Sequence, residues 1–366
     1  QAHSYFILMQ EIPLMLKIFF IVFNKMNKRK STFENNLKKK IRKTDYHGNL
    51  NISDFQINDI KDLIKLALKY DLKHESPILR KLFKLIPALI RLDKMIGMKS
   101  IKTEITKQII YSLQEYYNND KNGHMMHSVI YGNPGTGKTT VASIIADIYC
   151  SLGFLKTNNV TLAKREDFVA SYVGQTAVKT KALLNRARDG VLVIDEVYAF
   201  GATRHGSLDI DSFSKEAIDT LNAYLSENKD RLICIILGYK DDVDKCFFSI
   251  NQGLRRRFPF SYTITDYSSS ELKDIFMYQV KYGNWHIEDS EELTKFFQEN
   301  KKHFKNNGGD TENLFFEAKL IHSQNIFGLR NPEKFVLNVD ELRSALKIVI
   351  KETEKKEEQL NLMMYT

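Results

Sequence analysis

The sequence predicts an α/β fold: a doubly wound parallel sheet, a C-terminal helical lid and a small N-terminal helical element. Three observations predict it. Short apolar runs rich in Val and Ile recur at 129–131, 190–194 and 232–237, with the length of strands buried on both faces. A glycine-rich turn joins the first run to a helical pattern from Thr139 to Tyr149, and strands alternating with helices imply crossover connections. After Asp266 the pattern turns all-helical, opening at Ser268 with Glu271 three residues on, a capping-box spacing.

The chain divides accordingly into a lead-in (1–50), a helical element (51–92), an α/β body (93–266) and a helical lid (267–366). In the helical element Ile57, Ile60, Leu63, Ile64, Ala67 and Leu68 recur at helix spacing. A second helical run from Leu79 to Leu92 is interrupted by Pro87.

In the lead-in, ten Lys/Arg stand against three Asp/Glu, so most of the net charge of +9 lies there. The basic balance therefore describes a tail, and it supports nucleic-acid binding by the body only weakly. Tyr5 to Phe23 is apolar but broken by Gln10, Glu11, Pro13 and Lys17, which argues against a clean membrane span. The chain opens with Gln1, and Met26 begins a Lys-rich stretch that reads as a natural start. The apolar stretch then reads as an upstream translation or fragment artefact, a buried or interfacial helix, or an anchor. Cys150, Cys234 and Cys246 form no CxxC pair. So odd and sparse a set argues against a disulfide framework and for a reducing, cytoplasmic setting, and no Cys/His spacing resembles a zinc site.

Residues Gly132-Asn133-Pro134-Gly135-Thr136-Gly137-Lys138-Thr139, followed by Thr140, fit the GxxxxGK[ST] pattern. Its glycines let the backbone turn tightly with several N–H groups aimed at phosphate, and the next helix points its positive end there. Lys138 supplies charge to the β and γ phosphates of ATP, and the Thr139 hydroxyl is a Mg²⁺ ligand. A second element, Val191 to Ile194, ends in Asp195 and Glu196. Two carboxylates at the end of a buried strand suit a cation and a water. Asp195 reads as holding Mg²⁺ through its water shell, Glu196 as the general base for the attacking water.

The stretch ASYVGQTAVKTKALLNRARDGVLVIDEVYAFG (Ala170 to Gly201), with Gly132 to Thr140 before it and IILGYKDD (Ile235 to Asp242) after it, is similar to an AAA+ group. That group contains red-type Rubisco activases and sporulation stage V protein K-like ATPases. The likeness covers about Met95 to Phe260 well and the lid loosely. It implies that Ile96-Gly97-Met98 cradles adenine, and that Tyr172-Val173-Gly174 is a pore loop gripping polypeptide in the channel of a hexamer. It implies a mobile second pore loop at Gly201 to Asp211. Tyr239 falls where relatives sense the γ-phosphate, and Asn251 to Phe258 where they supply an arginine finger to the neighbouring subunit, Arg257 being favoured and then Arg255. One departure stands out: the lid turn Asn306 to Leu314 lacks the second sensor arginine that many relatives carry.

These readings converge on a homo-oligomeric, Mg²⁺-dependent ATPase that threads or remodels a protein client. The alternative is an ATP-driven nucleic-acid motor or loader. The nearly neutral body disfavours it, because a nucleic-acid channel is lined with Lys and Arg. Rubisco as a partner is not carried over from the resemblance.

Overall fold

The structure, a computed structural model, describes residues 57–69, 76–114, 125–157, 159–172, 174–204, 207–209, 211–330 and 332–364. The expectations for residues 1–50 therefore lie outside the described residues, as does Val173. Apart from Ser76 and Pro77, the described residues belong to one compact unit, 57–73 with 78–366.

Among the described residues nine strands occur in this order: β1 (Ser128–Gly132), β2 (Val160–Ala163), β3 (Val191–Ile194), β4 (Ala202–Arg204), β5 (Ser207–Asp209), β6 (Ile233–Gly238), β7 (Phe260–Ile264), β8 (His286–Ile287) and β9 (Val336–Leu337). Ten helices of two turns or more accompany them among the described residues: α1 (Ile60–Lys69), α2 (Pro77–Lys94), α3 (Lys99–Leu113), α4 (Lys138–Leu152), α5 (Thr176–Arg186), α6 (Ser212–Glu227), α7 (Ser269–Tyr282), α8 (Glu291–Asn300), α9 (Gly308–Ile326) and α10 (Val339–Met364).

The main sheet is wholly parallel, in the order β2-β3-β6-β1-β7. Its three central strands are the apolar runs read from the sequence. β3 and β6 are buried at every position, as parallel strands covered by helices on both faces must be. β2 and β7, at the edges, alternate buried and exposed positions and carry Thr, Ser and Tyr. The register aligns the strand ends: Tyr131 lies beside Gly238 and Thr263, and Ile194 beside Ala163 and Ile236. The segments that leave β1, β2, β3, β6 and β7 consequently emerge along one edge, where doubly wound sheets bind ligands.

Two expectations need correcting. α2 runs unbroken through Pro87 from Pro77 to Lys94, burying Leu79, Leu82, Leu85, Ile86, Leu89 and Leu92 on one stripe. That buried stripe holds the helix where the proline removes one backbone donor. Residues after Asp266 are not all helical, since β8 and β9 pair in parallel over two residues each. Within the stretch from Gly201 to Asp211, β4 and β5 pair antiparallel. The expected cap of α7 is present, with the Ser268 hydroxyl accepting the Glu271 N–H and Glu271 accepting the Ser268 N–H. Trp285 packs edge-on against Phe315, His322 and Phe335, joining α9 to the β8–β9 pair.

One core residue links the fold to pH. His127, just before β1, is fully buried, and its Nδ1 accepts the Cys234 N–H at 3.0 Å. Burial, and second the charge of Arg257, push its pKa from 6.5 down to about 3. The folded state thus binds this proton less readily than the unfolded chain. Its neutral-state stability is fully present above about pH 6.5 and is lost as pH falls toward 3, at about 1.4 kcal/mol per pH unit. His127→Asn keeps an acceptor near the Nδ1 position without titrating. It is expected to flatten the decline of Tm between pH 6.5 and 4; a decline as steep as that of the parent would refute the assignment.

Candidate functional site

β1 delivers Gly132 into a turn that reverses through Gly135 (φ 67°) and Gly137 (φ 84°) before α4 begins at Lys138. These left-handed angles are open to glycine and strained for other residues. The Thr136 hydroxyl donates to the Asn133 carbonyl at 2.7 Å and closes the turn. Lys138 reaches back over it, and its Nζ donates to the carbonyls of Gly132 and Asn133, each at 2.9 Å. Half-burial lowers the pKa of this ammonium, and Asp195 pulls it back up. The result is a cation poised above a concave run of backbone N–H groups, with the N-terminus of α4 behind it.

The neighbouring strand ends complete the site. β3 releases Asp195 and Glu196 beside the turn, and the Thr139 hydroxyl donates to Asp195 Oδ2 at 3.1 Å. Glu196 takes a left-handed conformation at φ 54°, uncommon for a residue with a side chain. β2 pairs with β3 so that Ala163 faces Ile194, which brings the next residue, Lys164, to the acidic pair. Lys164 Nζ lies 2.9 Å from Glu196 Oε2, and the hydrogen bond to Glu196, then its charge, raises the lysine pKa. Lys164 has no motif around it that marks it as functional; only the strand pairing does.

β6 releases Gly238 and Tyr239. The Tyr239 ring stacks on Tyr198 at 6.4 Å between centroids, and Lys138 Nζ lies 5.3 Å from the Tyr239 centroid. Burial raises the Tyr239 pKa, with Tyr198 and Asp242 adding to the effect. The two tyrosines wall a cleft of about 360 Å³ that also takes in Pro134, Gly135, Gly137, Lys138, Thr139, Thr140, Asp195, Glu196 and Gly238. Tyr198 is therefore a site residue that the sequence reading passed over. A larger groove of about 590 Å³ runs between α5 and α6. Its lining mixes Lys181 and Lys215 with Glu216 and Asp219, with no glycine turn and no paired strand-end acids.

Ile96 and Gly97 do not line this cleft but lie next to it. The methyls of Met95 and Met98 approach Gly137, and Gly97 (φ 66°) packs so closely on the lid that a Cβ would stand 2.6 Å from Glu271 Oε1. Tyr172 lies in a bend between β2 and α5 with 71% of its surface exposed, so it is not a core residue. Gly174 beside it has φ 80° and open space where a Cβ would be.

The arginine run separates into three environments. Arg257, favoured as the finger, is half-buried against its own chain, its guanidinium donating to Ser226 Oγ and to the Gly253 carbonyl. Arg255 pairs with Asp244 and lies over the Phe248 ring. Arg256 is exposed, and among the described residues no hydrogen bond or ion pair holds it.

A parallel sheet, a glycine turn under a lysine, and a Thr–Asp contact beside a second acid define a P-loop nucleotide-binding domain. Comparison with known families agrees and sharpens this: residues 128–265 match AAA, the ATPase family associated with various cellular activities. The matched region is thus similar to an AAA ATPase domain, a match that implies ATP as its nucleotide. It is 41% identical over 250 residues to a cfxQ-like protein of Acanthamoeba polyphaga mimivirus, covering 68% of this chain and 60% of that one. It is 38% identical over 200 residues to the ESX-3 secretion system protein EccA3 of Mycobacterium tuberculosis, covering 54% of this chain and 31% of that one. A similar match, 38% over 195 residues, covers 52% of this chain and 34% of the ESX-1 secretion system protein EccA1 of the same species. The chain thus spans about 60% of the length of the first relative and about a third of the other two.

Proposed function

We propose that the chain hydrolyses ATP with Mg²⁺ inside a ring of identical subunits, a hexamer, and uses the cycle to thread or remodel a protein client. The observation that carries the client half of this reading is the exposure of Tyr172 in the bend ahead of α5. A large amphipathic ring held out in solvent can grip many polypeptide sequences through apolar contact. The naming of EccA3 and EccA1 as secretion system proteins supports a protein client. We also place the chain in the AAA+ group with the red-type Rubisco activases and stage V protein K-like ATPases, on the strength of its YVGQTA and GVLVIDE segments, and in the cytoplasm. Rubisco itself is not assigned as its client.

For Mg²⁺, one hydroxyl and one carboxylate within hydrogen-bond reach form the hard oxygen donor set that this ion takes alongside phosphate and water. Thr139 and Asp195 would hold it, and the ion would neutralise charge on the phosphates. Among the described residues no cluster of three His, Cys, Asp or Glu competes for it. Lys138 leaves the carbonyls of Gly132 and Asn133 to meet the phosphate chain. Glu196 accepts the proton of the attacking water. Lys164 Nζ sits on Glu196 Oε2, so this contact must open before that oxygen can take the proton. Tyr198 and Tyr239 screen the cleft from bulk water, and Tyr239 stands where the γ-phosphate is sensed.

The neighbouring subunit completes the site with a guanidinium. Among Arg255, Arg256 and Arg257, the unpartnered Arg256 is the one free to leave its own subunit, and we assign the finger to it.

Tyr172→Ala tests the client reading. Truncating an aromatic anchor costs on the order of 2 kcal/mol of grip, so the unfolding rate of a tagged model protein is expected to fall about 30-fold. ATP turnover without client should fall far less. Unfolding at the parent rate would remove the pore-loop role, and stimulation of turnover by single-stranded DNA in place of protein would favour the nucleic-acid motor.

A further inference from the structure

The lid turn that lacks a sensor arginine makes an unusual contact. Asn307, just before α9, has φ 51° and ψ −119°, a conformation that residues with a side chain rarely adopt, and it is only 1% exposed. Such strain persists only where the surroundings over-determine it. Here the surroundings are the phosphate turn and the exit of β7. Asn307 Nδ2 donates to Asp266 Oδ1 at 2.9 Å and to the Pro134 carbonyl at 3.3 Å, and its Oδ1 accepts the Tyr267 N–H at 3.1 Å. Asp266 in turn accepts from Asn133 Nδ2, with both oxygens at 2.9 Å.

Two further bonds extend the pattern. The Gly308 N–H donates to the Gly135 carbonyl at 3.1 Å, and the Tyr267 hydroxyl donates to the Thr136 carbonyl at 2.8 Å. Three consecutive carbonyls of the phosphate turn, those of Pro134, Gly135 and Thr136, therefore each receive a donor from the segments that open and seat the lid. When a backbone turns its N–H groups inward to an anion, its carbonyls face outward and need partners.

We infer that Asn307, with Gly308 and Tyr267, is a clamp that holds the phosphate turn in its anion-binding form and couples ATP occupancy to lid docking. It does so through hydrogen bonds to main-chain carbonyls of that turn, from a lid segment with no arginine between Asn306 and Leu314. These are positioning residues; none touches the nucleotide. Because coupling is reciprocal, a docked lid tightens ATP binding by the same factor by which ATP favours docking. The inference rests on the reading that this turn binds ATP.

Two variants of the full chain test it from opposite sides. In Gly308→Ala the new Cβ would stand 2.9 Å from the Gly135 carbonyl, with Ile275 at an ordinary 3.7 Å. Alanine is also the better helix former at this position in α9, so a loss would not reflect a weaker helix. Asn307→Gly suits the positive φ and removes only the amide. Binding of a fluorescent ATP analogue with Mg²⁺ and hydrogen exchange across α7 to α9, with and without nucleotide, are the readouts. Both variants are expected to bind the analogue on the order of tenfold more weakly and to lose nucleotide-dependent protection of the lid. Gly308→Ala should do so with an unchanged or raised Tm without nucleotide. Variants that bind and protect like the parent would overturn the clamp, as would a fall in Tm with the nucleotide response intact. Failure of the parent to bind the analogue would instead refute the ATP reading.

Discussion

Glu196→Gln is expected to lower ATP turnover about 10²–10⁴-fold, the range a positioned general base supplies, while ATP binding persists. Gln nearly matches Glu in shape but cannot accept the proton of the attacking water. Lys138, Thr139 and Asp195, proposed to meet the phosphates and Mg²⁺, are untouched by the change. The Lys164 contact is also altered, since Gln offers a neutral carbonyl where a charged pair stood at 2.9 Å. Lys164→Ala separates the two effects. It leaves the base in place without its counter-charge, so turnover should be retained or raised in the absence of client. Quenched-flow measurement of phosphate release together with equilibrium nucleotide binding checks both. A Glu196→Gln protein that turns over ATP at the parent rate would show that another group takes the proton.

Arg256→Ala is expected to lower turnover about 10³–10⁵-fold, the contribution of an arginine finger, with Tm close to the parent value. The contrast with its neighbours makes this specific. Arg257→Ala removes bonds to Ser226 and Gly253 inside the subunit, and should lower Tm. Arg255→Ala leaves Asp244 without its partner and uncovers the Phe248 ring. If Arg256 acts on a neighbour, mixing Arg256→Ala with Glu196→Gln should restore activity. In mixed rings an intact Glu196 then faces an intact Arg256. Two inactive proteins that remain inactive when mixed and co-assembled would place the finger elsewhere.

The chain announces some of this site and hides the rest for identifiable reasons. β1, β3 and β6 read as strands because burial on both faces demands unbroken Val, Ile and Leu. The glycine turn and the acidic pair are legible because each follows such a run. β2 and β7 do not stand out as apolar runs because edge strands expose alternate residues, so VTLA and FSYTI look polar. Missing β2 also concealed Lys164, which lies 32 positions before Glu196 and meets it only through strand pairing. Three adjacent arginines are indistinguishable as letters, and only their partners, Asp244 and Ser226, tell them apart. The lid turn drew attention for the arginine it lacks. That its asparagine would be buried against the phosphate turn depends on a fold contact 173 positions apart.

The contact between Gly135 and the lid bears on how such machines can be recombined. Gly135 occupies one of the four variable slots of the GxxxxGK pattern, where its left-handed φ already favours glycine. The facing lid turn demands it as well, since a Cβ on that residue would stand 1.9 Å from the Asn306 carbonyl. Body and lid are therefore not interchangeable cassettes. A chimera that joins this body to a foreign lid can have two well-folded halves and still jam at a single atom. Any working splice must carry residues 133 to 308 across together.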